Sequence, residues 1–202
     1  MLRAGLTGAA GAGKSRVARG LVERGFPVLD ADKVAHELYL PGSPLAEALV
    51  EAFGPGVRDD RGGIDRTALG AVVFNDPRRR RALDALVHPP LLSELRRRLG
   101  ALAAAGHGVG VLEAALLLRW GPRDLVDLVV GVTAPRSVRR DRLVAAGLSP
   151  LAAERRIDLQ LDEAELVRAA DFLIVNDGGL SDLDGRIDEL AAFLRDRARG
   201  EG

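Results

Sequence analysis

Residues 8–15, Gly8-Ala9-Ala10-Gly11-Ala12-Gly13-Lys14-Ser15, follow the spacing G-x-x-x-x-G-K-S. That spacing suits an anion. A loop turned back on itself can aim successive backbone N–H groups at one phosphate, and glycine permits both the dihedrals and the close approach. A helix starting near Lys14 adds its positive end. In such a loop the Lys14 ammonium reaches the terminal phosphates of a nucleotide, and the Ser15 hydroxyl ligates Mg2+. The competing reading is a chance turn in a chain with 24 glycines. Composition weighs against it: Lys14 and Lys33 are the only lysines among 29 cationic residues. A lysine that persists in so arginine-biased a chain is informative.

Three carboxylates fall where a phosphate site could use them. Asp30 and Asp32 close the second predicted strand, and ligands of open α/β sheets bind at the carboxyl ends of strands. A carboxylate there could take the proton of an attacking hydroxyl or hold Mg2+ through water. Asp32 could instead cap a helix starting at Lys33. Glu113 ends the third predicted strand, where a P-loop enzyme commonly carries a metal-facing carboxylate. An ordinary loop acid is the alternative.

The elements that must position these groups follow from hydrophobic pattern. Residues 2–7 read as a buried strand, and the helix from Lys14 stops near Gly25. Strands are expected at Phe26 to Leu29, at 108–113, at 125–135 and at 171–177. Leu183, Ile187, Leu190 and Leu194 give the closing helix one apolar face. Residues 33–105 read as a helical insertion, and 136–168 as a charged helical segment broken at Gly147-Leu148-Ser149-Pro150. Strand–loop–helix–strand order predicts a parallel α/β sheet.

Bulk properties narrow the class. The chain has 202 residues, 47% hydrophobic and 29% charged, with zero formal net charge and no cysteine. Zero net charge argues against a general nucleic-acid or membrane-surface binder. Lack of cysteine removes disulfides and thiolate metal sites and is compatible with a reducing compartment. No run of about 18 apolar residues is present, so no transmembrane helix is expected. Neither a secretory leader nor an internal repeat is read, and a cytoplasmic location is expected.

With these residues in place, the chain resembles the dephospho-CoA kinase family nearly end to end. The matching stretches are GLTG…GAGKS, PVLDAD with Val34, Ala35 and His36 following, PGSP, and IDRTALGAVVFNDPRRRRALDALVHP. Later come ERRIDLQ and AADFLIVNDG. The resemblance implies a P-loop NTPase three-layer fold: a five-stranded parallel sheet, a helical substrate-binding insertion at 33–105 and a lid at 136–168, all in one domain of 1–202. It implies ATP and Mg2+, with transfer to the ribose 3′-hydroxyl of dephospho-CoA. The backbone of Gly8, Gly11, Ala12, Gly13, Lys14, Ser15 and Arg16 would wrap the ATP phosphates. Asp32 would be the base, Arg142 a lid residue over the transferred phosphoryl, and Asn176 and Gly178 neighbours of adenine. Arg66 and His88 would help hold the CoA portion. His88 precedes Pro89 and could equally end a helix.

The chain departs from the family pattern in places. Glu113-Ala114-Ala115-Leu116-Leu117-Leu118-Arg119 lacks the usual proline. The run after Arg142, Leu143-Val144-Ala145-Ala146-Gly147, lacks a further arginine before the turn. Arg16 stands where threonine is usual. Arg139, Arg140, Arg155 and Arg156 could supply the missing cation. A nucleotide- or CoA-binding paralogue with little activity, and a P-loop kinase for another small acceptor, stay open at this point.

Overall fold

A computed structural model describes residues 1–74, 76–121, 124–158 and 163–200. The chain divides into two compact units, one built from residues 1–29 with those from 99 onward, the other from residues 30–98.

The first unit holds the sheet, ordered β2-β3-β1-β4-β5. Its strands are β1 (Leu2–Gly8), β2 (Val28–Asp30), β3 (Val109–Glu113), β4 (Leu128–Thr133) and β5 (Phe172–Val175). Strand β1 is central and pairs in parallel with β3 and β4, setting Leu6 beside Glu113 and Gly8 beside Val132. Strands so enclosed are apolar on both faces: all residues of β3 and β4 are buried. The helices α1 (Lys14–Glu23) and α9 (Leu180–Arg199) share one core with β1 and β4, through Val17, Leu21, Leu183, Ile187, Leu190 and Leu194.

The second strand is shorter and later than its pattern predicts. The Phe26 amide bonds to Leu21 O in the exit turn of α1. Pro27 has no N–H to give, although its carbonyl accepts from Val111 N. The fourth and fifth strands are also shorter than expected, spanning Leu128–Thr133 of 125–135 and Phe172–Val175 of 171–177. Leu125 and Val126 are buried outside the strand, and a Cβ on Gly5 would collide with Leu117 and Val126.

Residues 136–158 form α6 (Arg136–Ala145) and α7 (Pro150–Asp158), and α8 (Glu163–Ala169) follows. Leu143, Ala153 and Ile157 make a small separate core, against which Leu148 and Ala10 pack.

The second unit carries α2 (Ala31–Glu37), α3 (Pro44–Phe53) and α4 (Arg66–Phe74), and α5 runs Pro77–Ala104. Its core includes Leu45, Leu49, Val57, Ile64, Leu69, Val73 and Val87. Contrary to the helix-end reading of His88, α5 continues through Pro89 and Pro90. Among the described residues no helix is long and apolar enough to cross a membrane.

Arg98 ties α2 to α5, reaching Glu37 and, at 2.7 Å, Glu94. Hydrogen bonds from Arg97 and Arg98 pull the Glu94 carboxyl down to about 2, and Arg98 lowers that of Glu37. Both folded values lie below the unfolded ones, so this contribution is full above the ordinary carboxylate range. It is lost as pH falls toward 2. These groups are partly exposed, so the tie is worth roughly 0.5–1 kcal/mol. Arg98→Ala should lower the thermal midpoint at pH 7 by about 1–4 °C. Melts repeated down to pH 2 should show that difference shrinking below about pH 4.5. A difference that persists at pH 2 would mean Arg98 acts through packing instead.

Candidate active site

Residues 8–13 leave β1 and turn into α1 as a closed loop. The Ala9 amide bonds to Val132 O at 3.2 Å and the Ala12 amide to Ala9 O at 3.1 Å. Gly11 has φ +73° and Gly13 φ +98°, values that favour glycine. Space restricts them further. A Cβ on Gly11 would sit 2.5 Å from the Arg139 carbonyl oxygen, so α6 lies directly against the loop. A Cβ on Gly13 would collide with the Asn176 side chain. The Gly11 and Gly13 amides make no hydrogen bond among the described residues. Donors left unpaired beside a helix N-terminus suit an anion.

Lys14 Nζ donates to Glu113 Oε1 at 2.6 Å, and Ser15 Oγ lies 3.0 Å from the same oxygen. The pair is mostly buried, the two side chains being 15% and 9% exposed. Parallel register explains the meeting. Glu113 stands beside Leu6 at the end of β3, on the edge where β1 gives way to the loop. A hydroxyl and a carboxylate oxygen so close are hard donors that fit Mg2+, which commonly keeps several waters and takes one or two protein ligands beside substrate phosphates.

Asn176 follows β5 and is 5% exposed. Its Nδ2 donates to Ala12 O at 2.8 Å. Arg142 donates to both its backbone oxygen and its Oδ1, each at 3.2 Å. Arg16 reaches Asp184 on α9 at 3.1 Å. Gly178 lies beside Asp182, whose carboxylate accepts from the Gly179 amide. The structure therefore gathers Lys14, Ser15, Glu113, Arg142 and Asn176 around one loop.

In the other unit Asp30, not Asp32, caps α2, its Oδ1 accepting from the amides of Asp32 and Lys33. The Asp32 side chain is exposed and has no hydrogen bond or ion pair among the described residues. Arg66 opens α4, and His88 stands 3.7 Å from Asp84 within α5. Burial raises the Tyr39 hydroxyl above its usual range; the Arg66 charge opposes the rise and Asp84 adds to it.

Of the four arginines considered as substitutes, Arg139 is 6% exposed and faces Glu163 at 3.6 Å. Arg140 pairs with Asp141. Arg155 and Arg156 are exposed on α7. The pattern did not flag Tyr39, the contact of Arg139 with Gly11, or the packing of Ala10 in the α6–α7 core.

The Lys14–Glu113 pair is testable in the ligand-free protein. Glu113→Gln leaves a mostly buried ammonium without its counter-charge, at a cost of about 1–3 kcal/mol. Lys14→Met with Glu113→Gln should cost at least about 1 kcal/mol less than the two separate losses together. Denaturant melts of the four proteins measure this; additive losses would remove the coupling.

A family profile described as dephospho-CoA kinase matches residues 2–182. The dephospho-CoA kinase of Symbiobacterium thermophilum is 42% identical over 199 residues, covering 98% of this chain and 82% of that protein. The crystal structure of TT1252 from Thermus thermophilus superposes with a TM-score of 0.82 at 34% identity, covering 96% of this chain and 97% of that one. The dephospho-CoA kinase from Campylobacter jejuni, at 23% identity and TM-score 0.73, covers 99% of this chain and 98% of its own and shares the fold. Loop, sheet order and sequence agree, and the chain belongs to the dephospho-CoA kinase family.

Proposed function

We propose that this protein transfers the γ-phosphoryl group of ATP to the ribose 3′-hydroxyl of dephospho-CoA, giving ADP and coenzyme A. The observation that carries the reading is the loop with unpaired Gly11 and Gly13 amides beside Lys14, in a chain of this family.

Nucleotide phosphates would take the amides of the loop, and Lys14 would exchange Glu113 for the terminal phosphates. The hydroxyl oxygen bonds to the γ-phosphorus as the bridging oxygen–γ-phosphorus bond breaks, and ADP leaves with that electron pair. The hydroxyl proton passes to Asp32. Asp32 is preferred to Asp30 because Asp30 already accepts two amides as a cap, whereas the Asp32 carboxylate is exposed and unpartnered among the described residues. Ser15 and Glu113 would hold Mg2+, which supplies charge neutralisation at the phosphate oxygens.

Residues 136–168 act as the lid in this proposal, excluding water from the reacting groups. Arg142 belongs to it. Arg66 and His88 of the 30–98 unit bind the anionic CoA portion, a role supported by the match to the family.

Purified protein with ATP, Mg2+ and dephospho-CoA should form ADP and coenzyme A in equal amounts. Asp32→Asn should cut kcat by about 10²–10⁴, the range for a lost general base. Asp30→Asn should keep most activity, since an asparagine oxygen can still cap α2. Equal losses at the two positions would remove Asp32 from the base role. Absence of turnover with dephospho-CoA, while ATP binds, would overturn the function.

A further inference from the structure

Asn176 sits at the junction of three elements, and its hydrogen bonds can be satisfied in only one way. Its Nδ2 lies on the Ala12 carbonyl and its Oδ1 on the Arg142 guanidinium. A flipped amide would set oxygen against carbonyl and NH2 against guanidinium, so chemistry fixes the orientation. The residue itself is fixed by its backbone N–H, which bonds to Thr133 O at 2.7 Å and continues the β5–β4 pairing.

The Ala12 bond has a consequence inside the loop. A trans peptide is planar, and its C=O and N–H point in opposite directions. Holding the Ala12 carbonyl on Asn176 turns the Gly13 N–H the opposite way, away from Asn176. That amide has no acceptor among the described residues. Gly13 leaves room for the contact, because any Cβ there would collide with Asn176 Nδ2.

We infer that Asn176 is a positioning residue. It sets the Gly13 amide for phosphate by holding the Ala12 carbonyl, and from its oxygens it holds Arg142 of α6. This goes beyond proximity to adenine and rests on the proposed binding of nucleotide phosphates by the loop. A base contact and a loop latch make opposite predictions for a ligand with phosphates and no base.

The probe is inorganic tripolyphosphate with Mg2+, titrated calorimetrically beside ADP. Asn176→Leu keeps the side-chain shape without its hydrogen bonds, and Asn176→Ala serves as a second variant should the first pack poorly. Thermal melts select temperatures at which each protein is folded. Both variants should lose about 10- to 100-fold in affinity for ADP, the range for an unmet buried acceptor, and a similar factor for tripolyphosphate. KM for ATP should rise by a comparable factor while KM for dephospho-CoA stays within about twofold. Unchanged tripolyphosphate binding beside weakened ADP binding would overturn the inference in favour of a base contact. A wild type that binds ATP but not tripolyphosphate would also overturn it, because the loop would then contribute no binding of its own. If the wild type binds neither, the phosphate reading falls and takes this inference with it.

Discussion

A phosphate loop must keep amide donors unpaired until its ligand arrives, and the rest of this structure is arranged around that cost. Backbone N–H groups without acceptors are unfavourable unless water or a ligand reaches them. The chain holds them in place from behind. Val132 O on β4 takes the Ala9 amide, Ala9 O takes that of Ala12, and Asn176 takes the Ala12 carbonyl. The Arg139 backbone presses on Gly11, and Ala10 packs into the apolar contact between α6 and α7. Apart from the Ala9–Ala12 bond within the loop, these supports come from β4, from the residue after β5 and from α6 and α7. The loop's shape therefore depends on the far half of the sequence as much as on its own glycines.

The same logic governs charge. Among the described residues Lys14 has one ion-pair partner, the carboxylate of Glu113, and both are mostly shielded from water. A phosphate chain brings negative charge of its own, so Lys14 can exchange one anion for another without standing unpaired. Glu113 is then available, with Ser15, to a metal ion. Arg142 follows a related pattern, held on Asn176 rather than exposed. Lys14 and Arg142 are thus both carried on acceptors the fold supplies.

Much of this was legible in the sequence because it is local. The strand, loop and helix around residues 2–23 are written in consecutive residues, and the apolar faces of β1 and α9 follow simple periods. Glu113 could be anticipated from its place at a strand end. The less legible parts are those that depend on distant packing. Nothing in the residues around Asp30 decides which aspartate caps α2; the extended backbone at Asp30 does, with its oxygen reaching two amides. Proline after His88 suggests a helix end, yet α5 passes through Pro89 and Pro90. Tyr39 packs against a core drawn from residues 45 to 87, which no local pattern around it announces.

In the proposed reaction the loop's free amides and Lys14 receive nucleotide phosphates while Asn176 stays on the Ala12 carbonyl. A crystal structure with Mg2+ and a non-hydrolysable ATP analogue tests it most directly. Phosphate oxygens should lie within hydrogen-bond distance of the Gly11 and Gly13 amides, with Lys14 moved from Glu113 to the terminal phosphates and the Asn176–Ala12 bond intact. A nucleotide bound with its phosphates elsewhere, or with Lys14 still on Glu113, would contradict it.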